Sequence, residues 1–547
     1  MRKHVGAGLA LAFGLMMTPP VAAQETPAAA NGDAPAAATG GCTKASDPYK
    51  NYACLDTVLG DGFFERLGSY YKLEWGQPGA PSDPNAPPSR RADWAPSPQS
   101  TPPMPFTEWP YGGTTSLGVT RTASIDSPLM SAMANTGLGH ALQGAGIQVY
   151  GWIDGGINIS SNTVRPGGNA PISYVYTPNT IQLDQAVVYV ERLPDTVQTD
   201  HIDWGFRVSG IYGENYRYTT SYGLVSNQYL TKNKTYGFDF PMVYAELFIP
   251  KIAEGLLIRV GRFIALPDIE AQLGPNNYMY THSLTYGYDN YTNTGIQTTL
   301  GLSKNVFLQL GVTAGSDTAI WNLGKRIANP YPNPLYPDST FKKDPGARPS
   351  FTACLRVNWN NGKDAIYPCA DAINNGVWGY NNLQWYGFTY YHKFDDHWHI
   401  SYEFYHLHQR DVPNALNPIA QDAVANGGTP FSPQYIANNA PNRAICNTAA
   451  VLTCTASAVG TVAYINYSPN PLNNFSFRPE FYSDAQGQRT GTKANYVDFS
   501  VAWQHFFSPQ VEVRPEFGYY HSYGGSAFNG GTRNYTWIGA ADLLVHF

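Results

Sequence analysis

From about residue 145 to its last residue, the chain alternates apolar and polar side chains with a period of two. "GIQVYGWIDGGINI" sets Ile147, Val149, Ile153 and Ile157 against Gln148, Asp154 and Asn158. "HIDWGFRVSGIYG" sets Trp204, Phe206 and Val208 against Asp203, Arg207 and Ser209. "HWHISYEFYHL", "NYVDFSVAWQHFF" and the terminal "YTWIGAADLLVHF" repeat the pattern. A period of two is the spacing of a β-strand with two unlike faces. A soluble sandwich alternates as well, so the period alone leaves the class open.

Two features separate the cases. Short connections such as "PKIAEG" (250–255), "LSKN" (302–305) and "SPQ" (508–510) alternate with long ones at 160–179, 213–236, 264–292, 315–381, 409–459, 483–494 and 521–533. Short turns at one end and long loops at the other mark an outer-membrane barrel. The polar faces also carry full charges, which a packed sandwich core would not tolerate. The expected fold is therefore all-β, a transmembrane antiparallel up-and-down β-barrel of fourteen strands. "SFTACLRVNW" (350–359) also alternates, and with an unseen partner it would raise the count to sixteen.

The start of the chain agrees with export. "MRKHVGAGLALAFGLMMTPPVAAQ" has Arg2 and Lys3, an apolar run from Ala7 to Met17, and small residues before Gln24. It reads as a signal peptide over 1–23. Removing it takes away two cations and no acid, which moves the net charge from −6 to −8. A chain that acidic is not expected to bind nucleic acid. Residues 24–105 read as an Ala/Pro-rich tether with a short periplasmic helical extension, helical over 52–75, and 106–547 as the barrel domain. A second short helix is expected at 127–144. No run reaches ~18 consecutive apolar residues, so no transmembrane helix is expected.

The six cysteines, Cys42, Cys54, Cys354, Cys369, Cys446 and Cys454, form three local pairs, and an even count in an oxidising compartment favours disulfides. Sequential pairing would close three short loops. Zinc is the rival, but no pair has the spacing of a zinc knuckle.

"CLDTVLGDGFFERLGSYYKLEWG", "FTEWPYGGTTSLG", "GIQVYGWIDGGINISSN", "LDQAVVYVERLPD" and "RVGRFIALPDIE" resemble the OmpL-like β-barrel porin family, beta-barrel porin-2, from about residue 50 to residue 547. The resemblance implies a porin in the outer membrane of a Gram-negative bacterium. It brings no substrate and no site residues.

Parity assigns Arg207, Glu246, Arg259, Glu403, Arg478, Glu480, Asp498, Glu512, Arg514 and Glu516 to the lumen as pore-lining candidates. Acids on one wall and arginines on another would set a transverse field that orients solutes and selects ions. Pairing across strands is the structural alternative, and the two are compatible. "FSFRPEF" and "VEVRPEF" place Arg478, Glu480, Glu512, Arg514 and Glu516 inward, and they raise the question of Pro479 and Pro515. Each proline removes a ladder donor, which points to a bulge or a water-filled gap.

His397 and His399 share one face and His406 and His408 the other, where a metal could be held with Glu403. Girdle and lumen polarity is the better reading, and no metal is expected. There is no G-x-S-x-G, no H-E-x-x-H and no phosphate loop, so neither catalysis nor a cofactor is expected. The expected function is passive diffusion of small hydrophilic solutes or ions. The alternative is a non-conducting barrel acting as adhesin or scaffold through disulfide-tied loops. The expected partners are outer-membrane lipid and lipopolysaccharide, the small solutes themselves and, by analogy with other porins only, further copies of the chain. The loops 315–381 and 409–459 are the expected constriction, with an external cap as the rival.

Overall fold

The computed structural model describes residues 41–77, 117, 127–226, 229, 234–265, 268–275, 277–322, 325–327, 341–344, 346–378, 382–420 and 443–547. The expected signal peptide and residues 24–40 and 78–105 of the expected tether and extension lie outside these residues.

Alternating side chains and obligatory backbone pairing leave a long run of strands one way to remove its edges, which is to close. Among the described residues sixteen strands do so. They are β1 (Gln148–Ser160), β2 (Thr180–Arg192), β3 (Asp203–Gly213), β4 (Gly237–Ile249), β5 (Leu256–Ile264), β6 (Thr292–Ser303), β7 (Val306–Ser316) and β8 (Ser350–Trp359). They continue as β9 (Asp364–Ile373), β10 (Gln384–Lys393), β11 (Trp398–Pro413), β12 (Thr453–Asn470), β13 (Asn473–Asp484), β14 (Ala494–Ser508), β15 (Val511–Val513 and Glu516–Tyr523) and β16 (Tyr535–His546). Each pairs antiparallel with its chain neighbours. β1 closes on β16 from Trp152↔His546 to Ser160↔Ile538.

The count corrects the fourteen expected in favour of the sixteen-strand alternative. The additional pair is β8 and β9, inside the segment read as one long loop. The outward face of β9 is Ile366, Pro368 and Ala370, too weak an apolar stripe to announce a strand. Cys354 and Cys369 are register partners across β8 and β9 and are joined by a disulfide. That disulfide is built into the barrel wall and ties no constriction loop. Cys446 and Cys454 are joined at the long-loop end, beside buried Trp378, Val412 and Leu452. Cys42 and Cys54 are joined at the start of the N-terminal helices. The wall disulfide spans 15 residues, a closure worth about 3 kcal/mol in the chain-entropy account. Cys354→Ser/Cys369→Ser protein is therefore expected to keep its barrel and to lose up to about 3 kcal/mol of stability, measured by urea unfolding.

The outer surface is an apolar belt. Ile153, Val188, Trp204, Val260, Leu310, Phe351, Phe499 and Leu543 stay exposed, while the intervening side chains are buried inside. Phe475, Phe477, Phe481 and Phe517 point outward, and Arg478, Glu480, Arg514 and Glu516 inward.

The prolines make no bulge. β13 runs in unbroken register along β14 through Pro479↔Phe499, while its pairing with β12 lapses between Ile465↔Phe477 and Val462↔Glu480 without a change of register. β15 lapses at Arg514–Pro515, yet His505↔Val513 and Ala502↔Glu516 keep one register across the gap. A missing donor interrupts the ladder locally, and the flanking bonds hold the strand in line. Trp503 still donates from its backbone to the Pro515 carbonyl at 3.0 Å.

Helices α1 (Leu55–Leu59), α2 (Phe63–Glu74), α3 (Pro128–Met133) and α4 (Gly137–Gly144) sit at the short-turn end. Buried Arg66 ties α1, α2 and α3 together, donating to the Ser131 and Gly60 carbonyls and pairing with Asp56, each at 2.9 Å. The helices dock on the rim. Tyr71 donates to the His546 carbonyl, the Gly76 amide donates to the Phe507 carbonyl at 2.7 Å, and Trp75 stacks on Phe507. Leu117 is buried against Phe248, Leu257 and Phe307 on the inner face near the same end.

Candidate functional site

The inner wall carries its charges in pairs. Arg207 Nε meets Glu191 Oε2 at 2.5 Å, across β2 and β3. Arg259 donates from Nε and Nη2 to Glu246 Oε1 at 2.9 and 2.7 Å, across β4 and β5. Arg262 meets Asp239 at 2.9 Å. Arg478 Nε meets Asp498 Oδ2 at 2.7 Å, across β13 and β14. Arg514 Nε lies 3.1 Å from Asp542 Oδ1, across β15 and β16, and its Nη2 pairs with Oδ2. Each of these guanidinium groups thus has its carboxylate on a neighbouring strand. Tyrosine rings shield the pairs on the β2–β5 side. Tyr244 lies under Arg259 at 4.4 Å and 5.8 Å from Arg207.

All ten sequence-assigned residues lie on the inner face, and none is more than 7 % exposed. Such burial inside a barrel needs a cover. On the β11–β16 side the cover is the connection between β5 and β6, residues 265–291, which turns inward. Its described residues are buried almost throughout.

The wall receives this loop through hydrogen bonds to its backbone. Glu403 accepts from the Ile269 amide at 3.1 Å. Arg514 Nη1 donates to the Gly274 and Asn277 carbonyls at 2.7 and 3.3 Å. Arg478 Nη1 donates to the Thr281 carbonyl at 2.7 Å, and Glu516 accepts from the Thr281 amide at 3.0 Å. Glu480 accepts from the Leu284 and Thr285 amides at 2.9 and 2.5 Å. Those amides open the single-turn helix α5 (Leu284–Gly287), so the carboxylate satisfies donors that have no partner inside the helix. Glu512 accepts from Gln504 at 2.7 Å, and Gln504 donates in turn to the Asn277 carbonyl at 3.3 Å. Tyr280 donates to Asp184 on β2 at 2.8 Å, and Trp385 on β10 donates to Asp289 at 3.0 Å. The loop therefore leaves the wall at β5 and is held on the far side, from β10 round to β2.

A further connection packs onto it. Tyr174, from the β1–β2 loop, stacks on His282 with centroids 3.6 Å apart and on Tyr218 at 4.4 Å. Tyr286 and Tyr291 complete this cluster. The histidines considered as ligands are not brought together as a set. His399 pairs with Tyr278 at 2.8 Å, His397 with the Ser468 carbonyl at 2.8 Å, and His406 stacks on His408.

The expected constriction loops, 315–381 and 409–459, do not supply these contacts. The loop that does, 265–291, holds five tyrosines and three acids with no lysine or arginine. That skewed composition was the available signal. Asp542 was also missed, although it has the inward parity in "GAADLLVHF", opposite to Leu543. Glu191 escaped because the five residues before it, "AVVYV", are apolar without alternation.

On β6–β8 the inner face is less covered. Gly295, Thr299, Gln309, Gly311 and Arg356 are half-buried. Their inward direction follows from register, since Gln297 lies between Arg259 and Gly311 and Thr299 pairs with Gln309. An inner-face residue of a closed barrel that keeps access to solvent faces the lumen.

The family model described as "Putative beta-barrel porin-2, OmpL-like" matches residues 146–547, the whole run of strands. No curated protein sequence matches the chain. Three solved structures are similar in outline. The outer membrane channel DcaP of Acinetobacter baumannii is 7 % identical, with a TM-score of 0.41 over 73 % of this chain and 97 % of that one. The anion-selective porin from Comamonas acidovorans is 8 % identical, with a TM-score of 0.41 over 73 % and 99 %. OmpT of Vibrio cholerae, folded in vitro, is 8 % identical, with a TM-score of 0.38 over 73 % and 97 %. Likenesses this distant say nothing of what passes through the barrel.

Proposed function

The chain belongs to the OmpL-like beta-barrel porin-2 family, and on that premise we propose that it is an outer-membrane porin of a Gram-negative bacterium. Small hydrophilic solutes or ions diffuse passively through its charged lumen, between the inward loop and the β6–β8 wall. One observation carries this reading. The covered half of the lumen is rigidly packed, while Gly295, Thr299, Gln309 and Gly311 on the other half keep access to solvent. Thr299 and Gln309 there are uncharged, and Arg356 with the paired charges nearby supplies a polar field. The channel is a diffusion path and not an enzyme.

The test is planar-bilayer recording on the purified, folded barrel. Small, voltage-stable steps are expected, and liposomes holding it swell with small sugars and not with large ones. Absence of both conductance and swelling would sink the proposal. It would favour a second reading, which rests on the near-complete burial of the ten charged candidates, namely a non-conducting barrel that presents its long loops as adhesin or scaffold.

A further inference from the structure

Three carboxylates meet inside the barrel where the inward loop joins the wall. Asp268 opens the loop, Asp289 lies near its end, and Glu403 stands on β11. One oxygen from each lies within 4.8 Å of the others, and all three residues are buried.

Backbone and indole donors orient the cluster, and Asp268 and Asp289 also meet each other side chain to side chain. Glu403 Oε2 accepts from the Ile269 amide at 3.1 Å, and Asp289 Oδ2 accepts from Trp385 Nε1 at 3.0 Å. Arg489 reaches this neighbourhood, but it donates at 2.8 and 3.1 Å to the carbonyl oxygens of Tyr288 and Asp289. Two oxygens in the group, Asp268 Oδ1 and Glu403 Oε1, have no hydrogen-bond partner, although their residues are 7 % and 0 % exposed. A buried carboxylate oxygen without a donor is costly. Three carboxylates at this spacing also repel one another.

We propose that Asp268, Asp289 and Glu403 bind a Ca2+ ion that clasps both ends of the inward loop to the barrel wall. An all-oxygen, all-anionic donor set suits a hard cation, not one that seeks nitrogen or sulfur. Three oxygens spread evenly around one Ca2+ lie about 4.0–4.5 Å apart, given bonds of about 2.3–2.6 Å, and these three lie within 4.8 Å of one another. Around Mg2+, with bonds of about 2.0–2.1 Å, the same three oxygens would have to close to about 3.6 Å of one another. The Ile269 amide and the Trp385 indole hold the ligands from outside, as second-layer donors do in metal sites. The site goes beyond solute passage, because it fixes where the loop stands and not what moves past it.

Tb3+, which takes Ca2+ sites, serves as the probe on the full barrel in detergent. Trp385 touches Asp289 and would sensitise its luminescence. Excitation of the wild-type protein is expected to give Tb3+ emission that Ca2+ displaces more readily than Mg2+ does. Equilibrium dialysis is expected to find one tightly held Ca2+ per chain. Glu403→Gln and Asp268→Asn are each expected to weaken binding at least tenfold, with the heat-modifiable band of the folded barrel retained. Asp268 lies in the loop, outside the strands, so its variant reports even where Glu403→Gln fails to fold. Wild-type protein that binds neither ion, or binding that survives Asp268→Asn unchanged, overturns the proposal. Both measurements read ion binding and not conductance, so a silent channel with a Ca2+ site and a conducting one without it remain distinguishable.

Discussion

Replacing residues 268–290 with a short glycine–serine linker is expected to raise single-channel conductance several-fold and to admit larger sugars in liposome swelling. The loop is a packed body inside the lumen. It is anchored by Glu403, Arg514, Arg478, Glu516 and Glu480 through its own backbone amides and carbonyls. Anchors on backbone groups fix the position of the chain itself, so the cross-section of the path is set by the loop and not by mobile side chains. The same deletion leaves those wall charges facing water. Ionic-strength dependence of the current should therefore rise, because charges in an open aqueous lumen act through a screened field. Heat-modifiable migration confirms that the shortened barrel has closed. A shortened, folded barrel whose conductance matches the parent would show that the loop does not set the constriction.

Arg514→Ala is expected to destabilise the folded barrel by about 3–5 kcal/mol, the usual cost of removing one partner from a buried ion pair. Arg514 is 1 % exposed, pairs with Asp542 and holds the loop at Gly274 and Asn277. Its loss leaves the Asp542 carboxylate buried and uncompensated and releases two loop carbonyls. Lysine does not replace it, because a single ammonium cannot reproduce a planar fork that serves a carboxylate and two carbonyls together. The double change Arg514→Met with Asp542→Leu is expected to recover most of the wall stability, since a buried pair is worth little more than well-packed apolar side chains. It should not recover the anchoring of the loop. Urea unfolding of the variants in lipid vesicles measures the first effect, and conductance noise reports the second. Equal stability of Arg514→Ala and the parent would show that water already reaches this pair.

Much of the barrel is legible in single strands. "NNFSFRPEFYSD" names its own faces, because phenylalanine and arginine cannot exchange sides when one side is lipid. The strand bounds follow from where that alternation stops, as at the "SPQ" turn. β9 fails this test, since Pro368 and Ala370 on its outer face carry too little signal and Asp364 and Asp371 fall within it. Only its pairing with β8 and β10 makes it a strand. Pro479 and Pro515 each leave a lapse in the ladder, as a gap would, but no bulge. A proline announces a disturbance, but the neighbours decide its size, and here they keep the register.

By itself the sequence determined the class of fold, the inward direction of ten charged side chains and the family. These depend on period, parity and composition, which are local properties of the chain. The tertiary structure alone decided what the charges do. Whether Arg478 lines open water or holds a loop depends on Thr281, almost two hundred residues before it, and no local pattern encodes that distance. The same holds for the meeting of Asp268, Asp289 and Glu403. Closing the barrel brings β11 beside the base of the inward loop, and burial then turns three ordinary acids into a site.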